Sequence, residues 1–218
     1  MRGTTALHAL GWGTAALALG LLSIFAMSGE LRMPRQVVAS AGQTAEPLFG
    51  LSYRSATAAL KACEEHLARP ATRVLPTAEW RAVVEGCRAQ AYLISGRWPT
   101  DARAQLLVAA TSFDLDERQA FADALGRSQR LAPSVQWLAE RRLVLAGKAE
   151  ELGTYSYAAD VAALLESDAG ARVLARQWLA GDAARRARLE SAAAEVDPAL
   201  QQRLLDRIRE LVAASGQK

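Results

Sequence analysis

Two hydrophobic patterns divide this chain. From Leu7 to Met27 the residues are almost wholly apolar, and Gly3 to Gly29 carries no Asp, Glu, Lys or Arg. Beyond Leu51, Leu, Ala and Val instead recur at three- and four-residue spacing with charges between them, which is the period of amphipathic helices. The first pattern predicts a transmembrane helix, because about twenty-one residues at ~1.5 Å each reach roughly 30 Å, the thickness of the hydrocarbon layer. The second predicts helices near 52–68, 77–95, 100–111, 115–127, 132–146, 155–166, 169–180, 182–194 and 198–214. No run alternates with period two for long enough to require a strand.

The expected fold is therefore all-α: a single N-terminal transmembrane helix followed by a helical-hairpin bundle or a short, TPR-like helical-repeat stack. Residues 1–29 are expected to form a signal anchor, 30–50 a juxtamembrane linker containing Pro34, Gly42 and Pro47, and 51–218 one helical domain. A cleaved signal peptide is the alternative for the first segment, since Ala26 and Ser28 place small residues before Gly29; its apolar run, however, exceeds the usual signal-peptide core. A repeat is suggested by Trp137-Leu138-Ala139 recurring as Trp178-Leu179-Ala180. Asp114 and Glu117 have the spacing of a capping box. Asp197-Pro198 reads as an N-cap followed by proline at the first helical position, with Gly216 ending that helix.

Charge narrows the partners. The chain has 26 Lys plus Arg against 23 Asp plus Glu, and its Arg141-Arg142 and Arg185-Arg186 pairs lie within amphipathic segments rather than in a basic stripe with stacking aromatics. Nucleic acid is not an expected partner. The short n-region with Arg2, the apolar run and the small residues after it resemble a Sec-type signal anchor of a bacterial envelope protein. That resemblance implies an inner-membrane location, a cytoplasmic N-terminus and a periplasmic C-terminal domain. An oxidising compartment suits the two cysteines, Cys63 and Cys87. They are equidistant from Leu75, so a turn there between antiparallel helices brings them level and predicts a disulfide.

The search for reactive chemistry gives little. His8 and His66 are the two histidines, so there is no His cluster of metal-ligand spacing. Cys63, Glu64, Glu65 and His66 could be drawn as a thiol site, but a disulfide removes the nucleophile. The densest acidic run, Phe113-Asp114-Leu115-Asp116-Glu117-Arg118, lacks the glycine and ligand spacing of a calcium loop and is better read as helix capping. No phosphate loop, serine elbow or Cys-x-x-Cys pair is present. Neither a cofactor nor catalytic residues are expected. Arg97 and Trp98, in an inter-helix loop, are a candidate contact for a partner or a glycan. Ala9, Gly13, Ala16 and Gly20 form a small-residue stripe suited to close packing against another transmembrane helix.

These features predict a membrane-anchored accessory or scaffold subunit of a bacterial envelope complex serving transport, secretion or envelope-polymer machinery. Its expected partners are the lipid bilayer and other integral membrane or envelope proteins. The alternatives are a glycan- or solute-binding helical module and a membrane-tethered enzyme.

Overall fold

The computed structural model describes residues 52–149 and 152–215, without the side chains of Ala71 and Arg73. These residues form an all-α fold: α1 (Tyr53–Ala68), α2 (Pro70–Arg73), α3 (Thr77–Arg97), α4 (Ala102–Asp114), α5 (Arg118–Leu131), α6 (Gln136–Ala146), α7 (Tyr157–Leu165), α8 (Asp168–Ala180), α9 (Ala183–Ala194) and α10 (Pro198–Ser215).

The expected transmembrane component is corrected. Among the described residues no helix is long and apolar enough to cross a membrane. The physical reason is charge. The longest helix, α3, has 21 residues but carries Glu79, Arg81, Glu85, Arg88 and Arg97; α10, with 18 residues, carries Arg203, Asp206, Arg207, Arg209 and Glu210. Each ionised group buried in lipid would cost several kcal/mol. The stretch 7–27, including Ala9, Gly13, Ala16 and Gly20, lies outside the described residues. The single-pass inner-membrane topology, the periplasmic assignment and the membrane-anchored scaffold role that rested on it are accordingly set aside.

The chain packs as two compact units divided between Gly86 and Cys87. In the first, Ser52 caps α1 by accepting from the Ser55 backbone N–H at 3.2 Å. Arg69 leaves the helix in an extended conformation, as Pro70 requires of the residue before it. Ala56, Ala59, Leu60 and Cys63 form the buried stripe of α1. Cys63 and Cys87 are both disulfide-bonded, and as the chain has two cysteines they are joined to each other. Closing a loop of about 25 residues is worth roughly 3–4 kcal/mol in the chain-entropy model.

In the second unit α4 is buried along most of its length. Ala104, Leu106, Leu107, Val108 and Ala109 are all buried, and α4 packs most extensively on α5, with a smaller contact to α6. The chain continues through α6 against α7, and α7 against α8, α9 and α10. Side-chain caps set the helix starts. Asp101 accepts from the backbone N–H groups of Arg103 and Ala104 at 2.9 and 3.0 Å; Ser156, Ser167 and Asp182 do the same for α7, α8 and α9. Each such cap satisfies helix N–H groups that have no partner within the helix. The Asp197-Pro198 start is borne out: Asp197 accepts from Ala199 N–H at 2.8 Å. Gly216 lies outside the described residues.

The Trp-Leu-Ala echo is not a structural repeat. Trp137 stands in the first turn of α6, whereas Trp178 stands in the last turn of α8. Leu138 and Ala139 are buried, while Leu179 is half-buried and Ala180 exposed. The tripeptides therefore occupy unlike environments at opposite helix ends.

Candidate functional site

The acidic run predicted as a capping box ends one helix rather than starting the next. Asp114 is the last residue of α4, and Glu117 precedes α5 without capping it through its side chain. The backbone instead closes as a Schellman motif: Asp116 N–H donates to Phe113 C=O at 3.1 Å and Glu117 N–H to Ser112 C=O at 2.9 Å. That motif needs a left-handed residue after the C-cap. Asp116 supplies it at φ 60°, a conformation that Asp tolerates better than most residues. The Glu117 carboxylate turns away to form an ion pair with Arg88.

This turn brings two aromatic rings together. Phe113 in the last turn of α4 and Phe121 in the first turns of α5 meet edge to face, with centroids 5.5 Å apart at 60°. Opposite them, the turn after α6 holds the Lys148 ammonium 5.9 Å from the Phe113 ring centroid, within reach of its electron-rich face. Phe113, Asp116, Glu117, Arg118, Phe121, Lys148 and Ala149 enclose a cavity of about 310 Å³. Arg118 and Asp116 approach each other to 3.7 Å at its mouth and are both well exposed.

The far wall of the cavity is held by backbone hydrogen bonds. Lys148 N–H donates to Leu145 C=O and Ala149 N–H to Ala146 C=O, while Arg188 from α9 reaches the carbonyls of Ala146 and Ala149 at 2.8 and 3.1 Å. The segment entering α7 is pinned independently. Gln129 exchanges two hydrogen bonds with the Ser156 backbone, at 2.7 and 2.9 Å, and Arg130 donates to the Thr154 hydroxyl at 3.0 Å.

Beneath that segment lies a buried polar cluster. Arg142 and Asp160, both 0% exposed, form a two-pronged pair at 2.8 and 2.7 Å. The Arg142 guanidinium also donates to the carbonyls of Ser128 and Ala132, and the Tyr155 hydroxyl donates to Asp160 at 2.8 Å. Burial pushes the Tyr155 phenol far above its ordinary range, with the Asp160 charge and hydrogen bond adding to the effect. The neighbouring Tyr157 is also raised, chiefly by burial, against the opposing charges of Arg188 and Arg185. With its partners satisfied and no solvent access, the Arg142–Asp160 pair acts as an internal strut: losing one partner would leave a buried charge uncompensated.

A second cleft, of about 330 Å³, is lined by Asp168, Ala199, Gln202, Arg203, Asp206, Arg207 and Glu210. Its charges pair with one another. Arg207 binds both Asp168, at 2.9 Å, and Glu210, which holds the Asp168 carboxyl below its usual range. It has no aromatic wall.

The residues singled out from sequence fall elsewhere. The Arg97 guanidinium lies 5.3 Å from the Trp98 ring centroid, and half-buried Trp98 follows directly on α3; neither residue lines either cavity. Cys63 is committed to the disulfide, which removes the thiol beside His66. Among the described residues no group of three or more His, Cys, Asp or Glu is placed to hold a metal ion. Nothing in the sequence alone marks Phe121 or Lys148, and it marks Phe113, Asp116, Glu117 and Arg118 only as a capping segment. The available signal was two phenylalanines eight residues apart on either side of a turn, with the complementary lysine far along the chain.

No protein-family model, curated protein or solved structure matches this chain.

Proposed function

We propose that this chain is a helical module that binds a small solute or a glycan in the cavity between Phe113 and Lys148, acting by recognition rather than by chemical turnover. One observation carries the reading: a cavity of about 310 Å³ combines an aromatic pair with an ammonium, a guanidinium and carboxylates. That volume lies at the small end of the range for ligand pockets, and apolar walls with a few converging polar groups are their usual composition. A sugar ring suits such a lining. Its C–H face can lie against Phe113, while its hydroxyls accept from Lys148 and Arg118 and donate to Asp116. The pinned backbone on the Lys148 side reduces the ordering cost of binding.

The test is a nitrogen–proton NMR titration with glucose, glucosamine and galacturonic acid. At least one probe should shift the amides of residues 113–121 and 147–149, with affinity on the order of millimolar for so small a contact. Phe113→Ala and Lys148→Ala should each weaken binding by about tenfold, equivalent to roughly 1.4 kcal/mol. Arg207→Gln, in the second cleft, should leave it unchanged. Shifts confined to other surfaces, or equal binding by the Phe113→Ala, Lys148→Ala double variant, would contradict the proposal.

A further inference from the structure

The Arg185 side chain is held in place by the fold but bonds to nothing in it. The residue stands half-buried in the first turn of α9, and its stem runs over Gly181. A Cβ built on Gly181 would stand 3.3 and 3.2 Å from Arg185 Cγ and Cδ, closer than carbon atoms settle in contact. Gly181 has an ordinary extended backbone, φ −76° and ψ 150°, so glycine provides space there rather than conformational freedom. At the far end of the side chain, a Cβ on Gly147 would lie 3.6 Å from both Nε and Nη2 of Arg185, which seats the guanidinium against the turn after α6. Arg185 itself bonds through its backbone N–H, to the Asp182 carboxylate at 2.8 Å; its side-chain N–H groups meet no acceptor among the described residues.

Its neighbours are donors too. Tyr157, the first residue of α7, is 9% exposed, and its hydroxyl has no hydrogen-bond partner among the described residues. Arg188, one turn along α9, gives Nη1 to the carbonyls of Ala146 and Ala149 and keeps Nε and Nη2. Both guanidiniums lie close enough to the Tyr157 phenol to oppose the effect of burial on its ionisation, and no carboxylate acts on it from the described residues. The other arginines of this unit that face inward are spent differently: Arg142 on Asp160, and Arg207 on Asp168 and Glu210.

Such a set of donors calls for a compact anion that only accepts hydrogen bonds. A neutral hydroxyl or amide brings donors of its own, and a carboxylate offers two oxygens and one charge. A phosphoryl group offers three oxygens and a charge of about −1.5 to −2, which matches two guanidiniums and a phenol. We infer that Arg185, Arg188 and Tyr157 form a binding site for a phosphoryl group. Arg185 takes two oxygens side by side, Tyr157 donates to an oxygen, and Arg188 adds charge from the turn that it pins. None of the three lines the Phe113–Lys148 cavity, so the site stands whether or not that cavity binds a sugar. Glu150 and Glu151 follow Ala149 in the sequence and lie outside the described residues; the test includes them.

The full chain is titrated with sodium phosphate, methyl phosphate and acetate at matched ionic strength and followed by nitrogen–proton NMR, including the arginine Nε–H signals. Phosphate or methyl phosphate should shift the Arg185 Nε–H and the amides of residues 147, 157 and 185, with affinity on the order of millimolar. Binding of methyl phosphate assigns a phosphoryl group carried on a larger molecule, and binding of phosphate alone assigns the free ion. Arg185→Gln should weaken binding by about tenfold or more, and Tyr157→Phe by a smaller factor, both with the remaining spectrum unchanged because neither polar group secures another part of the fold. Arg176→Gln, at an exposed arginine of α8, and the Glu150→Gln, Glu151→Gln double variant should bind with the parent's affinity. Acetate binding as tightly as the phosphates would overturn the assignment to a phosphoryl group. No shift with either phosphate, binding that survives Arg185→Gln, equal weakening in Arg176→Gln, or binding that appears only in the double variant would overturn the site.

Discussion

Asp116 occupies a position where glycine is the usual residue, and it does so at the mouth of the cavity. Its left-handed backbone is required by the Schellman closure of α4, and that conformation is unfavourable for a residue with a Cβ. Asp116→Gly should therefore raise unfolding free energy in urea by up to about 1 kcal/mol, whereas Asp116→Ala should lower it. Comparing ligand affinity in the glycine variant separates the carboxylate's role in binding from the backbone's role in folding. A second residue-scale expectation concerns Tyr155. Its folded-state pKa lies above the ordinary 10.0, so the folded chain holds this proton more tightly than the unfolded chain. The stability this contributes is complete below about pH 10 and is lost as pH rises further. Tyr155→Phe should lose about 1 kcal/mol at neutral pH with its hydrogen bond to Asp160, yet should lose less than the parent between pH 10 and 11 in chemical unfolding. At this scale the sequence was only partly informative: the run 113–118 stood out, but Asp114 to Glu117 has the same residue types whether it caps the next helix or terminates the last.

The helices themselves were legible because each buries a stripe of period near 3.6. Phe121, Ala122, Leu125 and Gln129 of α5 and Ala171, Leu174 and Ala175 of α8 show that spacing in the bare chain. How helices meet was less legible, since close approach depends on partners distant in sequence or on a backbone path. Gly170 illustrates the difference. A Cβ built there would stand 2.1 Å from the Leu164 carbonyl oxygen, so α8 can start so close to the end of α7 only without a side chain. Gly126 is also crowded, but by the Thr154 hydroxyl at 2.4 Å, a side-chain atom that can turn away. Gly170→Ala should thus destabilise the fold by more than about 1–3 kcal/mol, the usual cost of overpacking, and Gly126→Ala by less, as read from thermal or urea midpoints. The disulfide was legible for a simpler reason: two cysteines equidistant from a turn region left one pairing.

For the whole molecule, sequence periodicity conveyed an all-α architecture but not a function, and the membrane-anchored scaffold reading drew its force from a segment outside the described residues. What the described fold offers instead is a pocket assembled from the end of α4, the start of α5 and the turn after α6, the last of these 27 or more residues along the chain from the other two. Such convergence leaves no local motif, because Lys148 acquires its meaning only when α6 packs alongside α4. The central claim is that this convergence creates a ligand site. The most direct measurement is a crystal of the chain soaked with galacturonic acid, read for electron density. The account expects a sugar ring against Phe113, with a hydroxyl or carboxylate within hydrogen-bonding distance of the Lys148 ammonium, and density that disappears in Phe113→Ala crystals under the same soak. Density only in the cleft around Arg207, or an empty Phe113–Lys148 cavity at a concentration that saturates binding in solution, would contradict it.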